Sequence, residues 1–279
     1  MNLENTIKEA SLALKAKNIK SHELDAQVIL SNIMDVRREF LITNNEIEIS
    51  DKIVKKYKNA INRRINNEPV AYIIGKKEFW SMDFMVNNST LVPRPESELL
   101  IYKVVNFYKN KKINILDIGT GSGCILLSIL KELKNSKGTG IDISKKAIQV
   151  AKKNSKKLNL CNRSKFKVID LDKYNTGKYD LIVSNPPYIP SNNIKNLSKD
   201  IIKHEPKGAL DGGVDGLDFI KKVIYKSIIV LKRNGLISIE IGCQQYQKVS
   251  SLLKHCGFRE MSREYDNNSN VRCIISTKL

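Results

Sequence analysis

The chain is expected to fold as an α/β protein, a doubly wound and mostly parallel seven-stranded sheet preceded by a helical bundle and a linking β-hairpin. Three observations predict this. From residue 111 onward short apolar runs alternate with helical patterns, as they do when strands buried on both faces are joined by crossover helices. Before residue 67 apolar residues recur only at helical spacing. Between the two regimes, aromatic and β-forming residues are interrupted by Gly75, Ser81-Met82-Asp83 and Asn87-Asn88, a pattern of short strands and turns.

In chain order, Leu3, Ile7, Ala10 and Leu14 share one helical face. Leu24, Val28 and Ile29 follow Ser21, and Ile53, Val54, Tyr57, Ile61 and Ile65 follow Ser50-Asp51, so both serines are candidate N-caps. These helices carry no chemistry of their own and suit packing or docking. Glu68-Pro69 ends the helical spacing, and the stretch from Val70 to Val92 reads as hairpin and linker. Pro93-Arg94-Pro95 then stiffens the entry to a helix with Glu96 and Glu98 in its first turn and Leu99, Leu100, Val104 and Phe107 on one face.

Seven apolar runs follow, at 113–118, 138–143, 166–169, 179–184, 235–241, 257–265 and 271–277. Helical patterns fill the gaps after the first, second, fourth and fifth. Only Asp266 to Asn270 separates the last two, which must therefore pair as an antiparallel hairpin. Seven strands ending this way are the layout of Rossmann-like class I methyltransferases rather than of dinucleotide dehydrogenases. The expected domains are 1–74 (helical), 75–92 (hairpin and linker) and 93–279 (catalytic).

The first run, Ile115-Leu116-Asp117-Ile118, leads straight into Gly119-Thr120-Gly121-Ser122-Gly123 and then a helix. Glycines at such a turn permit left-handed dihedrals and let a ligand approach the backbone. Asp142, at the end of the next run and about 20 residues on, can accept hydrogen bonds from both hydroxyls of a ribose. Asp170-Leu171, after the third run, can receive an adenine. A pyrophosphate cofactor would want a further glycine at position 124, which is Cys124, and the esterase elbow fails because Thr120 stands two residues before Ser122. S-adenosylmethionine has no phosphate, and its amino-acid tail and sulfonium suit a glycine turn beside Asp117.

The fourth run ends at Asn185-Pro186-Pro187-Tyr188. Two prolines forbid helix and remove two backbone donors, leaving a stiff loop at the carboxyl edge of the sheet, where ligands bind in this architecture. The loop offers an amide at Asn185, a carbonyl at Pro186 and a ring at Tyr188. Asn185 and Pro186 can each accept one N–H of a planar NH2 group, and Tyr188 can stack on its plane. An amide or exocyclic amine is a poor nucleophile because its lone pair is delocalised, so fixing its orientation toward a methyl donor is the catalysis required. DNA, RNA and protein amino-methylation all remain open on this loop alone.

Composition narrows the field in other ways. Lys and Arg total 48 against 29 Asp and Glu, a formal net charge of +19, which suits an acidic partner or nucleic acid; the same excess, mostly lysine scattered among Asn and Ile, equally suits solvated helix faces. Five cysteines without a C-x-x-C spacing fit a reduced, cytoplasmic protein. The N-terminus has no signal-peptide pattern, and no stretch approaches the roughly 20 apolar residues of a membrane span. His22, His204 and His255 lie far apart, so no metal is expected.

Three stretches together closely resemble the bacterial peptide chain release factor glutamine methyltransferases, the PrmC/HemK family. They are Leu91-Val92-Pro93-Arg94-Pro95-Glu96-Ser97-Glu98, Val183-Ser184-Asn185-Pro186-Pro187-Tyr188-Ile189-Pro190, and Glu205-Pro206-Lys207-Gly208-Ala209-Leu210-Asp211-Gly212-Gly213-Val214-Asp215-Gly216-Leu217. Pro69-Val70-Ala71-Tyr72-Ile73-Ile74-Gly75 and Glu240-Ile241-Gly242 match too, so the resemblance covers about residue 67 to the end. It implies methyl transfer from S-adenosylmethionine, leaving S-adenosylhomocysteine, to N5 of the glutamine in the Gly-Gly-Gln motif of class 1 release factors. It implies that Asn185, Pro186, Pro187 and Tyr188 hold the glutamine, that Gly119 to Gly123, Asp142, Asp170 and Leu171 hold the cofactor, with Asn185 near the methyl, and that the helical domain helps recognise the release factor. Nucleic acid is not an expected partner, since no base-recognition module is found, and the protein is expected to act as a monomer. A nucleic-acid amino-methyltransferase of DNA adenine, DNA cytosine or rRNA guanine is the alternative. Three departures from the family pattern are Leu171, where some members have an aromatic, so that aliphatic packing would replace stacking on the adenine; Ser97, where threonine is common; and Asn267-Asn268-Ser269-Asn270, where a glycine usually precedes Arg272. Asparagine tolerates left-handed dihedrals, so that turn is expected to form.

Overall fold

The computed structural model describes residues 2–279. The chain divides into two compact units, the first reaching Lys76 and including Ser198–His204, the second comprising Lys77–Leu197 and Glu205–Leu279.

The first unit is helical: α1 (Leu3–Lys15), α2 (His22–Met34), α3 (Arg38–Thr43), α4 (Asp51–Ile65) and α5 (Val70–Ile74). Leu3, Leu14, Ile29, Leu30, Leu41 and Tyr57 form its buried centre. Asn2 caps α1 by accepting the Asn5 N–H. Ser21 and Ser50 occupy the expected cap positions but make no side-chain cap bond. The β-branched Val70–Ile74 segment is a helical turn rather than part of a hairpin, because it follows Pro69 and closes on Gly75 in the left-handed region at φ +75°. Arg64 reaches Asp25 at 2.7 Å, an ion pair that is largely buried.

A hairpin of β1 (Lys76–Phe79) and β2 (Met82–Met85) opens the second unit from Lys77 onward. Its turn is Trp80-Ser81, both at positive φ (51° and 54°), the geometry that two-residue hairpins require and that asparagine and glycine adopt more readily. Two hydrogen bonds hold it there: the Trp80 backbone N–H donates to Glu98 Oε1 at 2.7 Å and its indole N–H to Glu132 Oε1 at 2.8 Å.

A 3-10 turn (Pro95–Glu98) leads into α6 (Leu99–Phe107). The sheet follows: β3 (Asn114–Ile118), α7 (Cys124–Glu132), β4 (Lys137–Asp142), α8 (Lys145–Lys157), β5 (Ser164–Val168) and β6 (Tyr179–Ser184). After α9 (Lys199–His204), which belongs to the helical unit, come α10 (Asp218–Val230), β7 (Leu231–Glu240), α11 (Tyr246–His255), β8 (Phe258–Tyr265) and β9 (Val271–Lys278). Strand order is β5-β4-β3-β6-β7-β9-β8, with β9 antiparallel to both its neighbours. All seven strands expected from the apolar runs are present.

Alternation along the strands builds two cores. Ile115, Leu181, Val183 and Ile275 face α6 and α7 on one side, while Leu116, Ile118, Ile182 and Ile274 face α10 and α11 on the other. The β8–β9 turn forms as expected, although its left-handed residue is Ser269 (φ 61°), with Asp266 Oδ1 accepting the N–H groups of Asn268 and Asn270. No helix among the described residues is long and apolar enough to cross a membrane.

Candidate active site

Two features meet at the carboxyl edge of β3, β4 and β6. The first is the glycine turn. Gly119, Gly121 and Gly123 all lie at positive φ (73°, 54° and 80°), which side chains rarely adopt. The N–H groups of Gly119 and Thr120 donate to Ile141 O on β4. A Cβ at Gly119 would meet nothing within 4 Å, so the turn leaves open space on its outer side. Asp142 grips the same turn: its Oδ2 accepts the Gly121 N–H at 3.0 Å and its Oδ1 the Ser144 N–H at 2.8 Å. Burial raises the Asp142 pKa, against the pull of these two N–H groups. Asp117 is buried beneath the turn; the Thr120 hydroxyl donates to its Oδ2 at 2.6 Å, and among the described residues Oδ1 has no partner. Burial pushes the Asp117 carboxyl up to about 7.

The second feature is the Asn-Pro-Pro-Tyr loop. Ser184 Oγ donates to Ile118 O at 2.8 Å, tying the end of β6 to the end of β3. Asn185 Nδ2 lies 2.8 Å from Ser97 Oγ, which lies 2.6 Å from Glu240 Oε2 at the end of β7. The Tyr188 hydroxyl lies 3.2 Å from Glu240 Oε1 and receives an N–H from Arg272 on β9 at 2.9 Å. Glu240 is 1% exposed; burial raises its pKa, opposed by the Ser97 bond, the Arg272 charge and the Tyr188 bond. The residues after the loop are held from behind. Ile189 N–H donates to Leu210 O and Gly212 N–H to Ile189 O, while Gln245 Nε2 donates to both Tyr188 O and Gly216 O at 2.9 and 3.1 Å. Arg94 pairs with the buried Glu205 at 2.6 Å.

One cavity of about 250 Å³ joins the two features. Gly119, Thr120, Gly121, Ser122, Asp142, Asp170 and Leu171 line it together with Asn185 and Pro187. Gly123, Pro186 and Tyr188 are not among its lining residues: Gly123 enters α7 with its Cα packed toward Ala151, Leu127 and Phe166, and the Tyr188 hydroxyl is engaged by Glu240 and Arg272. Asp170 caps a short 3-10 turn by accepting the Asp172 N–H at 2.9 Å, and Leu171 is buried at the cavity floor. Sequence reasoning did not single out Ser97, Glu240, Arg272 or Gln245 as site residues. The available signal was Glu240 itself, an acid closing the apolar run Leu236-Ile237-Ser238-Ile239, since carboxylates are rarely buried without a partner.

Similarity to known proteins agrees with this geometry. Residues 5–75 match the PrmC N-terminal domain and residues 95–254 the methyltransferase small domain. A release factor glutamine methyltransferase of Clostridium acetobutylicum is 38% identical over 282 residues, covering 100% of this chain and 99% of that protein. One from Caulobacter vibrioides is 37% identical over 270 residues, 95% and 92% of the two chains. A methyltransferase structure from Pyrococcus furiosus shares the fold, with a TM-score of 0.53 at 17% identity over 79% of this chain and 98% of that one. With identity at this level along nearly the whole of both chains, the protein belongs to the release factor glutamine methyltransferase family.

Proposed function

We propose that the chain methylates N5 of the glutamine in the Gly-Gly-Gln motif of class 1 peptide chain release factors, using S-adenosylmethionine. The observation that carries this reading is that Asn185 lines the same cavity as the glycine turn and Asp142. The residues present fit the cofactor. Asp142 Oδ2 accepts the Gly121 N–H and Oδ1 the Ser144 N–H, and a carboxylate has lone pairs left for ribose hydroxyls. The open side of Gly119 and Gly121 leaves room for the amino-acid tail, and Asp170 with Leu171 would flank the adenine. When bound, S-adenosylmethionine supplies an electrophilic methyl on a sulfonium.

The protein's own part is to hold the acceptor. Asn185 Oδ1 and the Pro186 carbonyl each accept one N–H of the glutamine amide, orienting a nitrogen whose lone pair is otherwise spread into the carbonyl. Positive charge developing on that nitrogen is met by two fixed dipoles. Pro186 and Pro187 keep the loop from relaxing. We assign recognition of the release factor to the helical unit, with the +19 charge steering encounter with an acidic partner, and the protein to the cytoplasm as a monomer.

Tritium from labelled S-adenosylmethionine is expected to pass to a release factor but not to its Gly-Gly-Ala variant. Equal labelling of both overturns the reading, as does preferential labelling of genomic DNA or ribosomal RNA.

A further inference from the structure

An asparagine side chain presents an oxygen and an NH2 of nearly equal shape, and its hydrogen-bond partners decide which one faces a ligand. At Asn185 the choice decides the chemistry, because an acceptor NH2 group can be held only by oxygens. The neighbour of Asn185 does not settle it alone: Ser97 Oγ, at 2.8 Å, can donate or accept. The next group does. Ser97 Oγ lies 2.6 Å from Glu240 Oε2, and a carboxylate only accepts, so the single Ser97 proton goes to Glu240. Ser97 then offers lone pairs to Asn185, which must give it Nδ2 and turn Oδ1 toward the cavity.

The other end of the loop adds a second donor and a cation that favour Glu240 as an acceptor. Arg272 Nη2 lies 2.9 Å from the Tyr188 hydroxyl, and a guanidinium only donates. The Tyr188 proton is therefore free for Glu240 Oε1 at 3.2 Å. Arg272 Nη2 stands 4.0 Å from that same oxygen, and its cationic charge favours the ionised carboxylate. One carboxylate, 1% exposed, thus takes a hydroxyl proton from each end of the Asn-Pro-Pro-Tyr loop.

We infer that Glu240 is a positioning residue that sets the polarity of the acceptor site: through Ser97 it holds Asn185 with its oxygen toward the substrate, and through Tyr188 it anchors the far end of the same loop. The inference deepens the glutamine reading above and rests on it. It also gives the site its selectivity. An acceptor-only pocket takes a primary amide and repels the isosteric carboxylate, so glutamine is admitted and glutamate refused.

The test replaces Glu240 by glutamine, which keeps the shape and adds an NH2 that can donate to Ser97. Ser97 can then donate to Asn185 Oδ1, and the Asn185 amide turns over. In the full-length enzyme, Glu240→Gln is expected to lower turnover on a release factor on the order of 100-fold, while affinity for S-adenosylmethionine, read by calorimetry, stays within about twofold. The same variant should bind a release factor carrying Gly-Gly-Glu more tightly than the wild type does, a gain that a loosened loop would not produce. Added to Asn185→Ala, Glu240→Gln should cause little further loss, since its effect through Ser97 ends at the Asn185 amide and the new glutamine oxygen can still accept from Tyr188. Ser97→Ala should lose turnover, and Ser97→Thr, which restores the hydroxyl, should recover most of it; this pair carries the test if Glu240→Gln does not fold. Wild-type turnover in Glu240→Gln, or equal turnover in Ser97→Ala and Ser97→Thr, overturns the inference. Failure of the wild-type enzyme to label the release factor overturns instead the reading on which it rests.

Discussion

The two sides of the cavity are held together by different means. On the cofactor side, the glycine turn is joined to the next strand by backbone groups and by Asp142, which accepts the Gly121 N–H from 21 residues away. On the acceptor side the loop is fixed by side chains from the rest of the chain: Ser97 is 88 residues from Asn185, Arg272 is 84 from Tyr188, and Ser97 is 143 from Glu240. The first is a local motif and the second an assembled one. A local motif keeps its shape wherever its strand and helix form; an assembled one needs the whole sheet in register.

Substitutions on the two sides should therefore fail in different ways. The largest expected effect is on the acceptor side, where Asn185→Ala should cost on the order of 100-fold or more in turnover with a smaller change in cofactor affinity; unchanged turnover would remove Asn185 from the mechanism. On the other side, Asp142→Ala should weaken cofactor binding by about 100-fold, as expected for losing charge-assisted hydrogen bonds, while turnover at saturating cofactor falls less. Calorimetry beside steady-state rates would show whether the two effects separate; a larger fall in turnover than in affinity would break the comparison.

Gly216→Ala probes the assembled side through the backbone. Gly216 sits at φ +75°, and a Cβ there would lie 2.4 Å from Tyr188 O. The variant should lose on the order of 1–3 kcal/mol of stability in denaturant unfolding and displace the acceptor loop while still binding the cofactor. Wild-type stability would show that the clasp behind the loop can yield.

The last expected effect concerns pH, and turns on two buried acids. Glu240 faces two hydroxyl donors and the Arg272 cation. Asp117 has the Thr120 hydroxyl and an oxygen without a partner among the described residues. Burial pushes the Asp117 pKa well above the usual carboxylate range, up to about 7, so the folded protein binds this proton more tightly than the unfolded chain does. The stability Asp117 contributes is complete below its unfolded pKa and is lost as pH rises through about 7. The slope is about 1.4 kcal/mol per pH unit at most. Asp117→Asn should flatten that part of a stability profile; an unchanged slope would assign it to another group.

The same contrast explains what could be read in advance. The strands were legible because residues such as Ile115, Leu116, Leu181 and Ile182 are buried on both faces of the sheet and form continuous apolar runs. The glycine turn, Asp142 and the Asn-Pro-Pro-Tyr loop were legible because each is a short pattern with its chemistry inside it. Nothing local favours the left-handed Trp80 of the hairpin turn; Glu98 and Glu132 supply the reason from a distance. Val70–Ile74 looked like strand by its β-branched content, and Pro69 and Gly75 make it a helical turn. Nothing in Ser97 or Arg272 taken alone points to a loop more than 80 residues away, so the sequence does not disclose them as partners of Asn185 and Tyr188. The three stretches that resemble the family nevertheless converge there. Arg94 meets Glu205, Ser97 meets Asn185, and Ile189 pairs with Leu210.

The place of β9 in the sheet bears on the order in which the two sides of the cavity can form. Although it is the last strand in sequence, β9 lies between β7 and β8, and it brings Arg272 to the Tyr188 hydroxyl. During synthesis the cofactor turn can form as soon as β3, β4 and their helices are available, whereas the acceptor loop must wait for residues 271–278. A chain cut short before Val271 would leave β8 without the neighbour it pairs with and Tyr188 without its cation. Such a product should still take up the methyl donor yet modify nothing.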